Sequence, residues 1–434
     1  EPLGDLADRQ VAPDGAERLP GPVLPGMPNL HSHAFQYAMA GLAETRGPGE
    51  ESFWTWREVM YGFLGKLGPE DVEAIAAQLY LEMLKAGYTA VAEFHYLHHD
   101  PAGRPYAERA ELSRRVAAAA EATGLRLTHL PVLYAHSGFG GQPPAEGQRR
   151  FINDIDGHGA ILEALHADFR DRPRQRLGLA FHSLRAVTPE LIREGLARLD
   201  ALDATAPVHI HIAEQTAEVE GCLAHCGKRP VEWLYELAEV GPRWCLVHAT
   251  HLNAAETRQI AESRAIAGLC LTTEANLGDG LFPAPEFLAL GGRYGVGSDS
   301  HIGVSAAEEL RLLEYGQRLT ARRRSLLATP ERPSVGATLY LGALDGGRQA
   351  LGQPIGSLEA GSCADLVVLD ETAPLLAARR GDAILDSYVF ASGRNFVRET
   401  WVAGERLVEN GRHRDEAAIA ERFRKTMAKL QAEM

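Results

Sequence analysis

A chain of 434 residues, 45% hydrophobic and 24% charged, holds the material for a large globular core. Its formal net charge of −14 argues against general binding of nucleic acid or anionic membrane, so an anionic substrate has to be drawn in by local arginines. The five cysteines suggest no disulfide framework, Cys222 and Cys226 lack a second pair to complete a zinc knuckle, and no apolar run is long enough for a membrane span. A reducing cytoplasm, no signal peptide and no membrane are therefore expected.

Residues 1–22 are rich in Pro, Gly and Asp and carry little periodic pattern. The run Val23-Leu-Pro-Gly-Met-Pro-Asn-Leu-His-Ser-His33 is apolar until it stops abruptly at His31. Residues two apart on a strand share a side, so His31 and His33 project together and can share one divalent cation. An aromatic stretch follows, Phe53-Trp-Thr-Trp-Arg-Glu58, and then a helix over Pro69–Lys85, with proline in its first turn and Gly87 as its stop.

From there short apolar runs alternate with helical segments. The runs are Thr89–His95, Leu125–Tyr134, Leu177–His182, Val208–His211, Trp244–His248, Ala265–Thr272 and Arg293–Ser298. The helices between them include Ala110–Thr123, Pro189–Leu199, Arg229–Glu239 and Asn253–Ser263. With the opening run this makes eight βα units, which close naturally into an α/β fold of the (β/α)8 TIM-barrel type over residues 25–345. An open doubly wound sheet is the competing fold, but its Gly-x-Gly-x-x-Gly turn is missing. Residues 346–412 read as short strands joined by glycine turns, a small β domain, and 413–434 as a closing helix.

Barrel enzymes place their chemistry at the carboxyl ends of the strands. Here those ends read His31/His33, Glu93/His95/Tyr96, His182/Arg185, His211/Glu214, His248 and Asp299. His31, His33, His211 and Asp299 offer three imidazoles and a carboxylate, a donor set suited to zinc with one position left for water. Iron(II) or manganese(II) can occupy the same donors. Glu214, three residues beyond His211, is placed to shuttle a proton to a leaving group, with His248 and Asp299 flanking the water on the other side. A metal-storage or sensing protein would not need Glu214 and His248 around an open coordination position.

His-x-His after the first strand, His-x-x-Glu after the fifth, His after the sixth and Ser298-Asp-Ser-His301 after the eighth resemble the amidohydrolase superfamily. So does the tail Ile355-Gly-Ser-Leu-Glu-Ala-Gly-Ser-Cys-Ala-Asp365-Leu. The resemblance implies a metal-dependent barrel with a small β-sandwich built from both chain ends, residues 1–24 forming one side of it. Binuclear members carry a bridging lysine after the fourth strand. His182 stands in that run, which implies one zinc per chain and a deaminase acting on the C–N bond of an amidine-like carbon.

The strings His31-Ser-His-Ala-Phe-Gln36, Phe53-Trp-Thr-Trp-Arg57, Ala92-Glu-Phe-His-Tyr96, Phe181-His-Ser-Leu-Arg185 and Thr273-Glu-Ala-Asn-Leu-Gly278 resemble the branch of that superfamily that removes ammonia from N-formimino-L-glutamate in histidine degradation. That resemblance implies substrate binding by Gln36, Arg57, Tyr96, His182 and Arg185, catalysis by Glu214, His248 and Asp299, and a homodimer. The chemistry agrees: a small dicarboxylate suits two planar guanidinium forks, Arg57 and Arg185. A mononuclear deaminase of guanine, adenosine or triazine type is the alternative within the same class. A non-catalytic barrel scaffold is the alternative outside it, and it predicts missing metal donors.

Overall fold

The structure is a computed structural model that describes residues 18–45, 53–391 and 393–432. The apolar runs become strands buried on both faces, as a parallel sheet covered by helices requires. After a short strand β1 (Val23–Pro25), these are β2 (Met27–Ser32), β3 (Tyr88–His95), β4 (Arg126–Leu133), β5 (Gln175–Leu177), β6 (Leu179–Phe181), β7 (Val208–Ile212), β8 (Trp244–His248), β9 (Ile266–Leu269) and β10 (Arg293–Val296). All pairs between β2 and β10 are parallel and follow chain order around the sheet. The fourth strand, expected unbroken over Leu177–His182, is interrupted at Gly178, so that β5 pairs the first half of β4 and β6 the second. A side chain at 178 would collide with Leu130 Cδ2 at 2.5 Å and Pro207 O at 2.7 Å.

The sheet closes where β10 meets β2. Ser32 and Asp299 form a parallel bridge, in which Asp299 N donates to His31 O at 3.0 Å and His33 N to Asp299 O at 3.2 Å. Asn29 fastens the same seam, its Nδ2 donating to Ser298 Oγ at 2.7 Å while its Oδ1 accepts from Ser298 N at 3.1 Å. Gly297 permits the approach, because a Cβ there would stand 2.8 Å from the His31 backbone. Closure therefore puts the last strand's aspartate beside the first strand's histidines, although 268 positions separate Asp299 from His31 along the chain.

The opposite end of the barrel is plugged. Ala350 O and Leu351 O, ending the helix Val335–Leu351, accept from His209 Nε2 at 2.9 Å and Thr128 Oγ1 at 2.9 Å. His209 thus spends its proton in the lower layer, while His211, two residues on, faces the open layer above.

The helices begin where their caps dictate. Thr188 Oγ1 accepts from Leu191 N ahead of Pro189–Asp203, and Asn253 and Glu256 cap Ala254–Ser263 reciprocally. The helix Pro69–Lys85 has the extent expected from the sequence. The strand expected over Ala265–Thr272 stops at Leu269, and a helix, Leu271–Leu277, takes over. Carboxylates claim the amides that a longer strand would have paired: Cys270 N donates to Glu274 Oε1, within that helix, at 2.9 Å, and Thr272 N to the remote Glu309 Oε2 at 3.1 Å.

Both chain ends contribute to one five-stranded antiparallel sheet, in the order β1, β11 (Leu366–Leu369), β12 (Val397–Val402), β13 (Glu405–Glu409) and β14 (Arg412–His413). Of the N-terminal segment expected to join it, residues 1–24, the first seventeen lie outside the described residues. The closing helix runs Glu416–Ala432. A buried ion pair ties this sheet to the barrel: Arg126 Nε lies 2.9 Å from Asp365 Oδ2 and its NH2 3.1 Å from Oδ1, which also accepts from Ala403 N. Both side chains are shielded from solvent, so removing one strands the other's charge. Arg126→Leu is expected to lower the unfolding free energy by about 3–5 kcal/mol. Chemical denaturation of the variant checks this, and a loss below about 1 kcal/mol, the worth of an exposed pair, would contradict it.

Candidate active site

Three imidazole edges converge at the open end. His31 Nε2 lies 3.2 Å from His33 Nε2 and 3.0 Å from His211 Nε2, while Asp299 Oδ1 lies 3.4 Å from His31 Nε2 and 3.3 Å from His33 Nε2. Donors around a tetrahedral zinc at its usual bond lengths stand about 3.3 Å apart, the spacing of these four contacts, and two sets of three side chains, His31 with His33 and His211, and His31 with His248 and Asp299, each bring their donor atoms within 4.8 Å of one another. Their chemistry fits as well. Burial drives His31 down to about 3 and lowers His33 and His211, which keeps all three neutral with lone pairs to give. The neighbouring imidazoles hold the Asp299 carboxyl well below its usual range against the effect of burial.

The surroundings aim the rings. His33 Nδ1 donates to Phe94 O at 2.8 Å, which leaves Nε2 as the acceptor atom pointing inward. The Phe94 ring stacks on His211 at 4.2 Å between centroids. Glu93 faces away from the opening: its carboxylate accepts from Ala34 N, Ser32 Oγ and Tyr80 OH at 2.7, 2.6 and 3.0 Å, and so anchors the His31–Ala34 turn. His95 also turns outward, toward His98 and His129. Of the three polar groups that the sequence offers at the end of β3, only Tyr96 faces the cleft.

Glu214 and His248 stand beside the donor cluster. His248 Nε2 lies 3.7 Å from Glu214 Oε1 and 3.9 Å from Asp299 Oδ2. On its other side Nδ1 meets Glu274 Oε1 at 3.4 Å. Burial opposes a charged His248, but the carboxylates of Glu214, Glu274 and Asp299 outweigh it and lift the ring to about 10. Burial pushes the Glu214 carboxyl up to about 7. Ala213, His248 and Asp299 take left-handed backbone angles, φ 51, 67 and 45°, at the ends of three different strands. Non-glycine residues there cost free energy, and such strain concentrates where side chains must be aimed. The turn at 213 is held by Glu218, whose carboxylate accepts from Ala213 N at 3.3 Å and Glu214 N at 3.2 Å.

Beyond the cluster a cleft of ≈ 560 Å³, counting its open mouth, takes in Gln36, Arg57, Tyr96, His182 and Arg185. Gln36 Nε2 donates to Tyr96 OH at 2.8 Å, and the Arg57 guanidinium lies over the Tyr61 ring at 5.5 Å. Tyr134, Phe151, Tyr61 and Met60 line the same space and were not singled out from the sequence, and Thr273, which opens the Thr273–Gly278 string, joins them. Tyr134 was legible, because it follows β4 directly, but a phenol at the end of an apolar run reads as part of the run.

The model of the amidohydrolase family matches residues 23–407. Formimidoylglutamate deiminase of Pseudomonas aeruginosa is 59% identical over 417 residues, 96% of this chain and 91% of that protein. The crystal structure of an amidohydrolase from Brucella melitensis superposes with a TM-score of 0.92 at 50% identity, covering 97% of this chain and 92% of that one. An adenosine deaminase from Xanthomonas campestris with bound zinc gives a TM-score of 0.80 at 25% identity, covering 95% and 87%.

Proposed function

The chain belongs to the amidohydrolase family, as a metal-dependent hydrolase acting on C–N bonds by hydrolytic deamination, and from that premise we propose that it converts N-formimino-L-glutamate and water into N-formyl-L-glutamate and ammonia, a step of histidine degradation. The observation that carries the substrate is the pairing of Arg57 and Arg185 in one small cleft that leads to the candidate metal donors. Two guanidinium forks suit a molecule with two carboxylates, whereas a neutral purine offers them acceptor atoms but no negative charge to pair. The similarity to the Pseudomonas aeruginosa deiminase supports the same reading.

His31, His33, His211 and Asp299 would hold the metal, for which we propose zinc. Bound there, the ion acidifies a water molecule toward neutrality and so supplies a nucleophile. Asp299, which stays ionised, would accept the proton that this water gives up, and the charged His248 ring, its direction fixed by Glu274 behind it, would donate a hydrogen bond to the water oxygen. As the water oxygen bonds to the formimino carbon, Glu214 would pass one water proton to the terminal nitrogen, and on collapse it would pass the second, from the new hydroxyl, so that the oxygen becomes the formyl carbonyl and the C–N bond breaks with ammonia leaving. Gln36, Tyr96, His182 and the two arginines hold the substrate in line, and such orientation alone removes several kcal/mol from a barrier. A cytoplasmic homodimer belongs to the same proposal. The five unpaired cysteines favour the reducing compartment, and among the described residues no helix is long and apolar enough to cross a membrane.

Ammonia release across N-formimino-L-glutamate, N-formimino-L-aspartate, guanine and adenosine tests the assignment, with the glutamate derivative expected to give the highest kcat/KM. Faster turnover of either purine substrate would overturn it. In the same assay Arg185→Ala is expected to raise KM for the glutamate derivative by about 10–100-fold, the loss of charged hydrogen bonds, while metal content stays as in the parent.

A further inference from the structure

Behind the cleft, a short hydrogen-bond chain settles which way one phenol points. Ala145 N donates to Gln148 Oε1 at 2.7 Å, and Gln148 Nε2 donates to Tyr134 OH at 2.7 Å. A backbone N–H can only donate, so the Gln148 amide cannot be turned over, and the Tyr134 oxygen must accept from it. The phenol's own hydrogen is left over. Tyr134 is 5% exposed and its ring is packed against His182 at 4.3 Å and Phe151 at 5.7 Å between centroids, so it cannot swing out to water. The structure gives that hydrogen no acceptor among the described residues, and the space beside it is the cleft shared with Arg57 and Arg185.

We propose that Tyr134 is a further specificity-determining residue, its hydroxyl donating to one of the two substrate carboxylates, with Gln148 as the positioning residue that aims it. The inference rests on the dicarboxylate reading above. An O–H in a cleft with two guanidinium groups has an anion as its natural acceptor, and O–H···O⁻ bonds are among the stronger hydrogen bonds. Gln148 is 1% exposed and does not line the cleft, so its effect passes through the phenol.

The test compares three substrates: N-formimino-L-glutamate and the N-formimino derivatives of 4-aminobutyrate and L-2-aminobutyrate, each of which lacks one carboxylate. Tyr134→Phe keeps the ring and its packing. It is expected to raise KM for the glutamate derivative by about tenfold or more, with the loss falling on KM rather than kcat. The same increase should appear for one of the two analogues and be absent for the other, the one missing the carboxylate that the phenol holds. Gln148→Glu still accepts from Ala145 N but draws the phenol's hydrogen away from the cleft, and it should give the same pattern across the three substrates. A Tyr134→Phe enzyme with parental KM for all three, or with KM raised equally for all three, overturns the assignment, and a parental Gln148→Glu enzyme overturns the positioning role. If the parent itself releases no ammonia from the glutamate derivative, both this inference and the proposed function fall. If it does and the Tyr134→Phe enzyme matches it, only this inference falls.

Discussion

Chelation is expected to abolish ammonia release without unfolding the barrel, and one equivalent of zinc to restore it. The donors are held by the fold, not by the ion. His31 and Asp299 are joined through the backbone bridge that closes the sheet, His33 is oriented by Phe94 O, and His211 is clamped under the Phe94 ring. A site so preorganised survives the loss of its metal, and the main-chain seam keeps its hydrogen bonds. Circular dichroism before and after chelation should therefore coincide while turnover disappears. His211→Ala removes one of the four proposed donors and should leave the protein folded but metal-poor, which elemental analysis measures directly. Full turnover by metal-free protein, or a His211→Ala enzyme that keeps both its metal and its rate, would dissolve the proposed centre.

The strand-end rule singled out His31, His33, His211, His248 and Asp299 because each interrupts an apolar run at the point where a parallel strand must stop. The rule could not say which way a side chain points. Glu93 and His95 satisfy it equally well, yet they sit on the outward face of β3, and the inward alternation belongs to Phe94 and Tyr96. Register along one strand cannot be read without its neighbours. His209 shows the same limit in depth: it has the same phase as His211 but lies one layer lower, against a carbonyl contributed by a helix about 140 residues later, which no local pattern reveals. The break at Gly178 and the early end of β9 likewise depend on remote partners, Pro207 and Glu309. Local periodicity thus conveyed the architecture, and long-range hydrogen bonds decided the details within the site.

Replacing Glu214 by Gln is expected to cut kcat by about 10²–10⁴-fold, the usual worth of a positioned proton carrier, with KM and metal content close to those of the parent. Three features make the residue suited to that role. Its carboxyl is buried and raised to about 7, so near neutral pH it can both hold a proton and release one. It lies 3.7 Å from His248, within reach of the group that shares its proton traffic. Its backbone is fixed by Glu218, two hydrogen bonds from a side chain on the helix Thr216–Cys226 that follows, so a glutamine in its place inherits the same position. The substitution therefore keeps shape and hydrogen-bonding capacity and removes only titration. A stopped-time ammonia assay with metal analysis on the same preparation separates this from simple loss of the metal. Were the Glu214→Gln enzyme to keep kcat within about tenfold of the parent, below the range expected for general acid–base catalysis, the proton for the leaving nitrogen would have to come from His248, the other titratable group in contact with that carboxylate.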